Sequence, residues 1–132
     1  MTKVRYYSAP PALPGGGAGR AYRLVVAGHA GYGEKGRDIV CAAESMLVQA
    51  LAGTLAGLSP ALLYDYTVEG VAGSGCVGIT ALPTAAGAER VRGIVESAVT
   101  GFCLLAQAYP DYVSIRGIEG EEEENDHVQA AG

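Results

Sequence analysis

One short stretch holds two residue types that do chemistry together. From Gly28 to Cys41 the chain reads GHAGYGEKGRDIVC. It contains an imidazole, His29, and a thiol, Cys41, the parts of a nucleophile and its general base. The same stretch spells G-x-G-x-x-G with Gly31, Gly33 and Gly36. An apolar run precedes it and a helix-like run follows, which is also the setting of a dinucleotide-binding loop.

The two chemistries make different demands on the rest of the chain. A dinucleotide site wants an acidic residue about 20 positions beyond the glycines, and repeated βαβ units. Between Glu44 and Asp65 there is no acidic residue. The two middle strands are separated only by GVAGSG, a link that favours a hairpin over a parallel crossover. The thiol site asks for less. Asp38 is a good N-cap for the following helix, which puts Cys41 in the first turn. The positive end of that helix favours the thiolate. Free amides near residues 39–42 are expected to stabilise an oxyanion. The glycines let the loop open for an extended peptide and close over it, and let His29 come within about 3 Å of the thiol. On pattern alone Cys41 also fits a packed thiol and His29 an ordinary loop histidine, because spacing proves no contact.

These residues need elements to position them. VRYYS (4–8) and Tyr22–Ala27 read as strands around a Pro/Gly-rich turn. The first long helix follows Asp38, with Ile39, Ala43, Met46, Leu47, Ala50, Leu51 and Leu55 at helical spacing, and ends at Ser59 and Pro60. In 61–69 Leu62, Tyr64, Tyr66 and Val68 fall on one face and Leu63, Asp65, Thr67 and Glu69 on the other, the alternation of a half-buried strand. CVGITAL (76–82) puts Val77, Ile79 and Ala81 on one face. Thr84 is the expected cap of a second long helix, whose stripe is Val91, Ile94, Val95, Ala98, Phe102 and Leu105. Pro110 stops it, and YVSIR (112–116) adds a short strand. The expectation is an α+β fold of two layers, a mostly antiparallel sheet with two long helices packed on one face.

Composition narrows the function classes. A chain of 132 residues is one domain by default. Removing Glu119, the four glutamates 121–124 and Asp126 from a net charge of −5 leaves the body at +1. No basic stripe marks a nucleic-acid binder. Residues 118–132 read as an acidic, disordered tail, and 1–117 as the folded domain. No apolar run reaches the roughly 18 residues of a membrane span, and the N-terminus lacks the apolar middle of a signal peptide. A cytoplasmic location is expected. Cys41, Cys76 and Cys103 are odd in number and widely spaced, without a C-x-x-C, so neither a disulfide framework nor a metal site is expected. Cys76 and Cys103 read as packing thiols, Lys35 and Arg37 as solvated, and His127 falls in the tail.

The stretch GHAGYGEKGRDIVCAAESML resembles the signature of the ribosomal-processing cysteine proteases called Prp. The match runs through Gly28, His29 and Ala30, then Asp38 to Ala43, and Ser45, and continues to GFCLLAQAYPDYVSI (101–115). The resemblance implies an endopeptidase that removes the N-terminal extension of bacterial large-subunit ribosomal protein L-twenty-seven, after a hydrophobic stretch ending in Phe. It implies a Cys41–His29 pair working through an acyl-enzyme, a homodimer, and neither metal nor cofactor. Gly28, Gly31, Tyr32, Gly33 and Gly36 are assigned to the cleft. Asp38 is first an N-cap and second an orienter of His29. Ser45, four residues past Cys41, shares its helix face and supports the site. The chain departs from the family pattern in a longer 9–20 turn, in the acidic tail, and at Glu44, where the family has a small apolar residue. A carboxylate there would raise the thiol pKa; the blander reading points Glu44 to solvent or gives it to the helix N-terminus. The alternative function is a non-catalytic dimeric module that binds the same peptide.

Overall fold

The computed structural model describes residues 1–10, 20–70 and 75–119. Five strands and two helices follow one another: β1 Thr2–Ala9, β2 Ala21–Ala27, α1 Ile39–Ala56, β3 Leu63–Gly70, β4 Cys76–Pro83, α2 Ala88–Ala108 and β5 Val113–Glu119. The strands form one sheet in the order β3-β4-β2-β1-β5. The β1–β2, β2–β4 and β3–β4 pairs are antiparallel, and β5 lies parallel to β1. The fold is therefore α+β, with a mixed sheet.

Register explains why one face carries the core. Val4 sits opposite Val26 on one side and Ile115 on the other. Val26 in turn faces Val77, and Leu24 faces Ile79. Successive side chains of a strand alternate between faces, so these residues share a single layer. Against it pack Val48, Leu51 and Leu55 of α1 and Val91, Val95, Ala98 and Phe102 of α2, in one continuous cluster. Both helices thus cover the same face. By length and composition alone each helix matches a membrane span, contrary to the sequence expectation; here their apolar residues enter this core.

Several local expectations shift. Strand β1 starts at Thr2, earlier than the apolar run suggests, because its first residue pairs with Val113. The buried stripe of α1 is Val40, Glu44, Val48, Leu51 and Leu55. Ile39 and Met46, expected inside, are 57% and 64% exposed. The stripe is rotated because α1 is apolar nearly all round and its sequence does not mark one face. Helix α1 ends at Gly57, ahead of Ser59. Thr84 does not cap α2 directly: its hydroxyl accepts from the Gly87 amide and donates to Ala61 O, closing the turn before the helix. In β3 only Leu63 is buried, while Tyr64 and Val68 are exposed. This is an edge strand with a bulge between Leu63 and Asp65. Strand β5 continues to Glu119, into the stretch read as tail; residues 120–132 lie outside those described.

Candidate active site

The site forms where β2 ends, β4 begins and α1 starts. Past β2 the chain turns at Gly28, whose φ is +92° and where a Cβ would lie 2.5 Å from the Met1 carbonyl oxygen. Only glycine fits that combination of backbone and space. His29 follows, and the loop returns to α1 through Gly31 and Gly36, both in the left-handed region.

Asp38 ties loop and helix together. Its Oδ1 accepts from the Val40 and Cys41 amides at 3.0 and 2.9 Å. Its Oδ2 accepts from the Tyr32 and Gly33 amides at 2.9 and 3.0 Å. Burial pushes this carboxyl up, but the amides of Cys41, Gly33 and Tyr32 outweigh it and hold the pKa below the usual value. The carboxylate is a helix cap and a loop clamp at once. None of these bonds goes to His29.

This arrangement changes the expected electrostatics. The Val40 and Cys41 amides are committed to Asp38 Oδ1, and the Ala42 amide donates to Asp38 O. They are not free for an oxyanion. Burial is the largest effect on the Cys41 thiol and raises its pKa; the Asp38 and Glu44 carboxyls add to that, while the Ala30 amide opposes it. The positive helix end expected to favour the thiolate is already occupied by the cap. Glu44 does not point to solvent. It is 6% exposed, and its Oε1 accepts from Thr2 Oγ1 at 2.9 Å.

Two hollows meet at Cys41. The smaller, about 40 Å³, is walled by Val26, Val48 and Val77 and carries His29, Cys41, Glu44 and Ser45 on its lining, with Gly28, Gly75 and Cys76. It has room for a few waters or a side-chain tip. The larger is a groove of about 550 Å³ lined by His29, Gly31, Gly33, Lys35, Gly36, Asp38, Cys41, Ala42 and Ser45. His29, Cys41 and Ser45 border both. No hydrogen bond joins the imidazole to the thiol here. Tyr32 lies apart from both linings; its ring stands edge-on to Tyr109 and Tyr112, with centroids 5.2 and 5.1 Å away, and so pins the loop to the end of α2. Among the described residues no group of three His, Cys, Asp or Glu side chains is placed to hold a metal.

Sequence reasoning did not reach Gly75, Cys76 or Thr2. Cys76, read as a packing thiol, is exposed at the mouth of the small hollow. It arrives through the β2–β4 pairing, which sets Ala27 opposite Cys76, and the Gly28 amide donates to Gly75 O at 2.7 Å. Only the strand order brings them there.

The family profile of cysteine protease Prp matches residues 16–114. The chain belongs to the Prp family. It is a cysteine protease. It is 25% identical to SMU.848 from Streptococcus mutans, covering 91% of this chain and 96% of that one, with a TM-score of 0.63. A ribosomal processing protease Prp from S. aureus, in complex with a covalently linked product peptide, is 19% identical. That alignment covers 91% of this chain and all of that one, with a TM-score of 0.64. The same S. aureus protease with a substrate peptide gives 18% identity and a TM-score of 0.58, with the same coverage. These likenesses show that the Prp fold is shared. Among curated proteins none matches.

Proposed function

We propose that this protease cuts peptides with Cys41 as nucleophile and His29 as general base. The observation that carries the reading is that, of the three cysteines, Cys41 alone lines both the small hollow and the open groove, and His29 does so with it. An extended peptide entering the groove displaces the glycine loop and brings the imidazole against the thiol. Catalytic hydrogen bonds are often loose before substrate arrives. His29 takes the thiol proton and Sγ bonds to the scissile carbonyl carbon. The C–N bond then breaks, and His29 returns the proton to the leaving amine. Water, deprotonated by His29, hydrolyses the thioester and restores the thiol. Desolvation of Cys41 makes this proton transfer to His29 an essential part of attack rather than a formality.

The substrate we assign is the N-terminal extension of large-subunit ribosomal protein L-twenty-seven, cut after its hydrophobic stretch. Support comes from the family and from the S. aureus protease, which is a ribosomal processing enzyme seen with peptides. We also propose that it works as a cytoplasmic homodimer, without cofactor. An apolar groove between the helices leaves Met46 and Leu104 exposed, a surface suited to a second copy. The test is to incubate the protein with L-twenty-seven bearing its extension and record intact masses, wild type beside Cys41→Ala. A single trimmed product that disappears in the mutant is expected. Trimming by Cys41→Ala would remove Cys41 as the nucleophile, and binding without any trimming would return the non-catalytic module.

A further inference from the structure

Glu44 is a buried acid in an otherwise explained site. Its Oε2 is buried and has no hydrogen-bond partner. Its Oε1 is held by Thr2, which is itself fully buried, donates its amide to Tyr112 O at 2.9 Å, and pairs with Val113. The start of β1 is thus fixed from the β5 side, and Thr2 passes that fixation to α1 one turn beyond Cys41. The same few atoms bear on the other partner. A Cβ at Gly28, next to His29, would meet the Met1 carbonyl oxygen. Met1 thus packs closely against Gly28, the residue before His29, while Thr2 holds Glu44 one turn after Cys41.

The surroundings of Glu44 decide its charge. Burial raises its pKa most; the Thr2 bond and the Met1 amino group oppose, and Asp38 adds to the rise. Cys41 lies on its own helix and Asp38 caps that helix, His29 follows β2, Cys76 opens β4, Thr2 begins β1, and the Met1 amino group precedes it. A neutral carboxyl here leaves no desolvated charge. An ionised one sets a second negative charge, after Asp38, near the thiol.

We propose that Glu44 is a positioning residue for Cys41, anchored by Thr2: its buried carboxyl braces the thiol's turn of helix, and a negative charge on it opposes the thiolate. The proposal rests on the reading of Cys41 as nucleophile. Its test uses the full chain, alkylated with iodoacetamide from mildly acid to mildly alkaline pH, with Cys41 labelling read by peptide mass mapping. Glu44→Gln is expected to label faster than wild type. It should be at least about threefold faster at the alkaline end, where a neighbouring anion disfavours thiolate in the wild type. Labelling of Glu44→Gln at the wild-type rate at the alkaline end overturns the proposal. Thr2→Val is expected to lower kcat for peptide trimming about tenfold with KM held, as small misplacements of reacting groups do, and Thr2→Ser to restore it. An unchanged kcat in Thr2→Val overturns the anchoring. Should Thr2→Val fail to fold, the near-isosteric Glu44→Gln decides. Trimming by Cys41→Ala would instead sink the nucleophile itself, a result separate from either arm.

Discussion

Asp38 gives both carboxylate oxygens to backbone amides, two in the first turn of α1 and two in the glycine loop. An anion bound at this helix end would have to displace that carboxylate. The amides that a phosphate would need at the G-x-G-x-x-G stretch are thus already taken by Asp38. Asp38 and Glu44 make opposite predictions for stability. The folded pKa of Asp38 lies below its unfolded value of 3.8. Its stabilisation is present above that pH and lost as pH falls through the folded value. Asp38→Asn, with one acceptor oxygen in place of two, should cost about 1–2 kcal/mol at neutral pH, the range of a lost cap, with the gap closing in acid. The folded pKa of Glu44 lies above 4.5. Between the two values the folded chain keeps a proton the unfolded chain has lost, so stability falls as pH rises through that window. Glu44→Gln should therefore gain stability relative to wild type above pH 4.5 and gain nothing below it. Thermal melts across pH would check both signs; parallel melting curves for either variant would refute its half.

Among the elements, α2 was readable and α1 only partly so. Helix α2 carries Glu89, Arg90, Arg92 and Glu96 outside and Val91, Val95, Ala98 and Phe102 inside. Charge marks its outer face, so the stripe could be placed. Between Ile39 and Ala56 the only charged residue is Glu44, and that one is buried. The charge that would mark the outside points inward, so helical spacing alone puts Ile39 and Met46 inside, where they are exposed, while Leu47, Leu51 and Leu55 do pack in or against the core. Leu55 is fully buried in the main cluster, whereas Met46 is exposed. Leu55→Ala should cost about 2–5 kcal/mol, as deleting core methylenes does, while Ile39→Ala, at an exposed position outside the surface proposed for a second copy, should stay within about 0.5 kcal/mol. Denaturant unfolding of the two variants would test the phase of α1. Equal losses would mean that the helix buries another side.

At the scale of the molecule, the site depends on a strand order that no local pattern announces. That His29 and Cys41 line common hollows is legible from one continuous motif, as are the Asp38 cap and the antiparallel pairing of β3 with β4. The crossing that inserts β4 beside β2, and the parallel seat of β5 beside β1, depend on contacts between distant segments. Gly75 and Thr2 could therefore not be placed from sequence: one reaches the site through β4, the other through β1 and β5. Gly75 makes the consequence testable. Its φ is +102°, and a Cβ there would sit 3.2 Å from His29 Nε2. The backbone before β4 thus forms a wall behind the imidazole, supported by the Gly28–Gly75 hydrogen bond. Gly75→Ala forces either the ring or the strand to move. Because a shift of that size in a general base costs rate more than binding, we expect trimming kcat to fall about tenfold with KM little changed. Iodoacetamide labelling of Cys41 should be unaffected, since the thiol belongs to another element. A wild-type kcat in Gly75→Ala would mean that His29 leaves this wall when it meets the thiol, and that Gly75 takes no part in placing it.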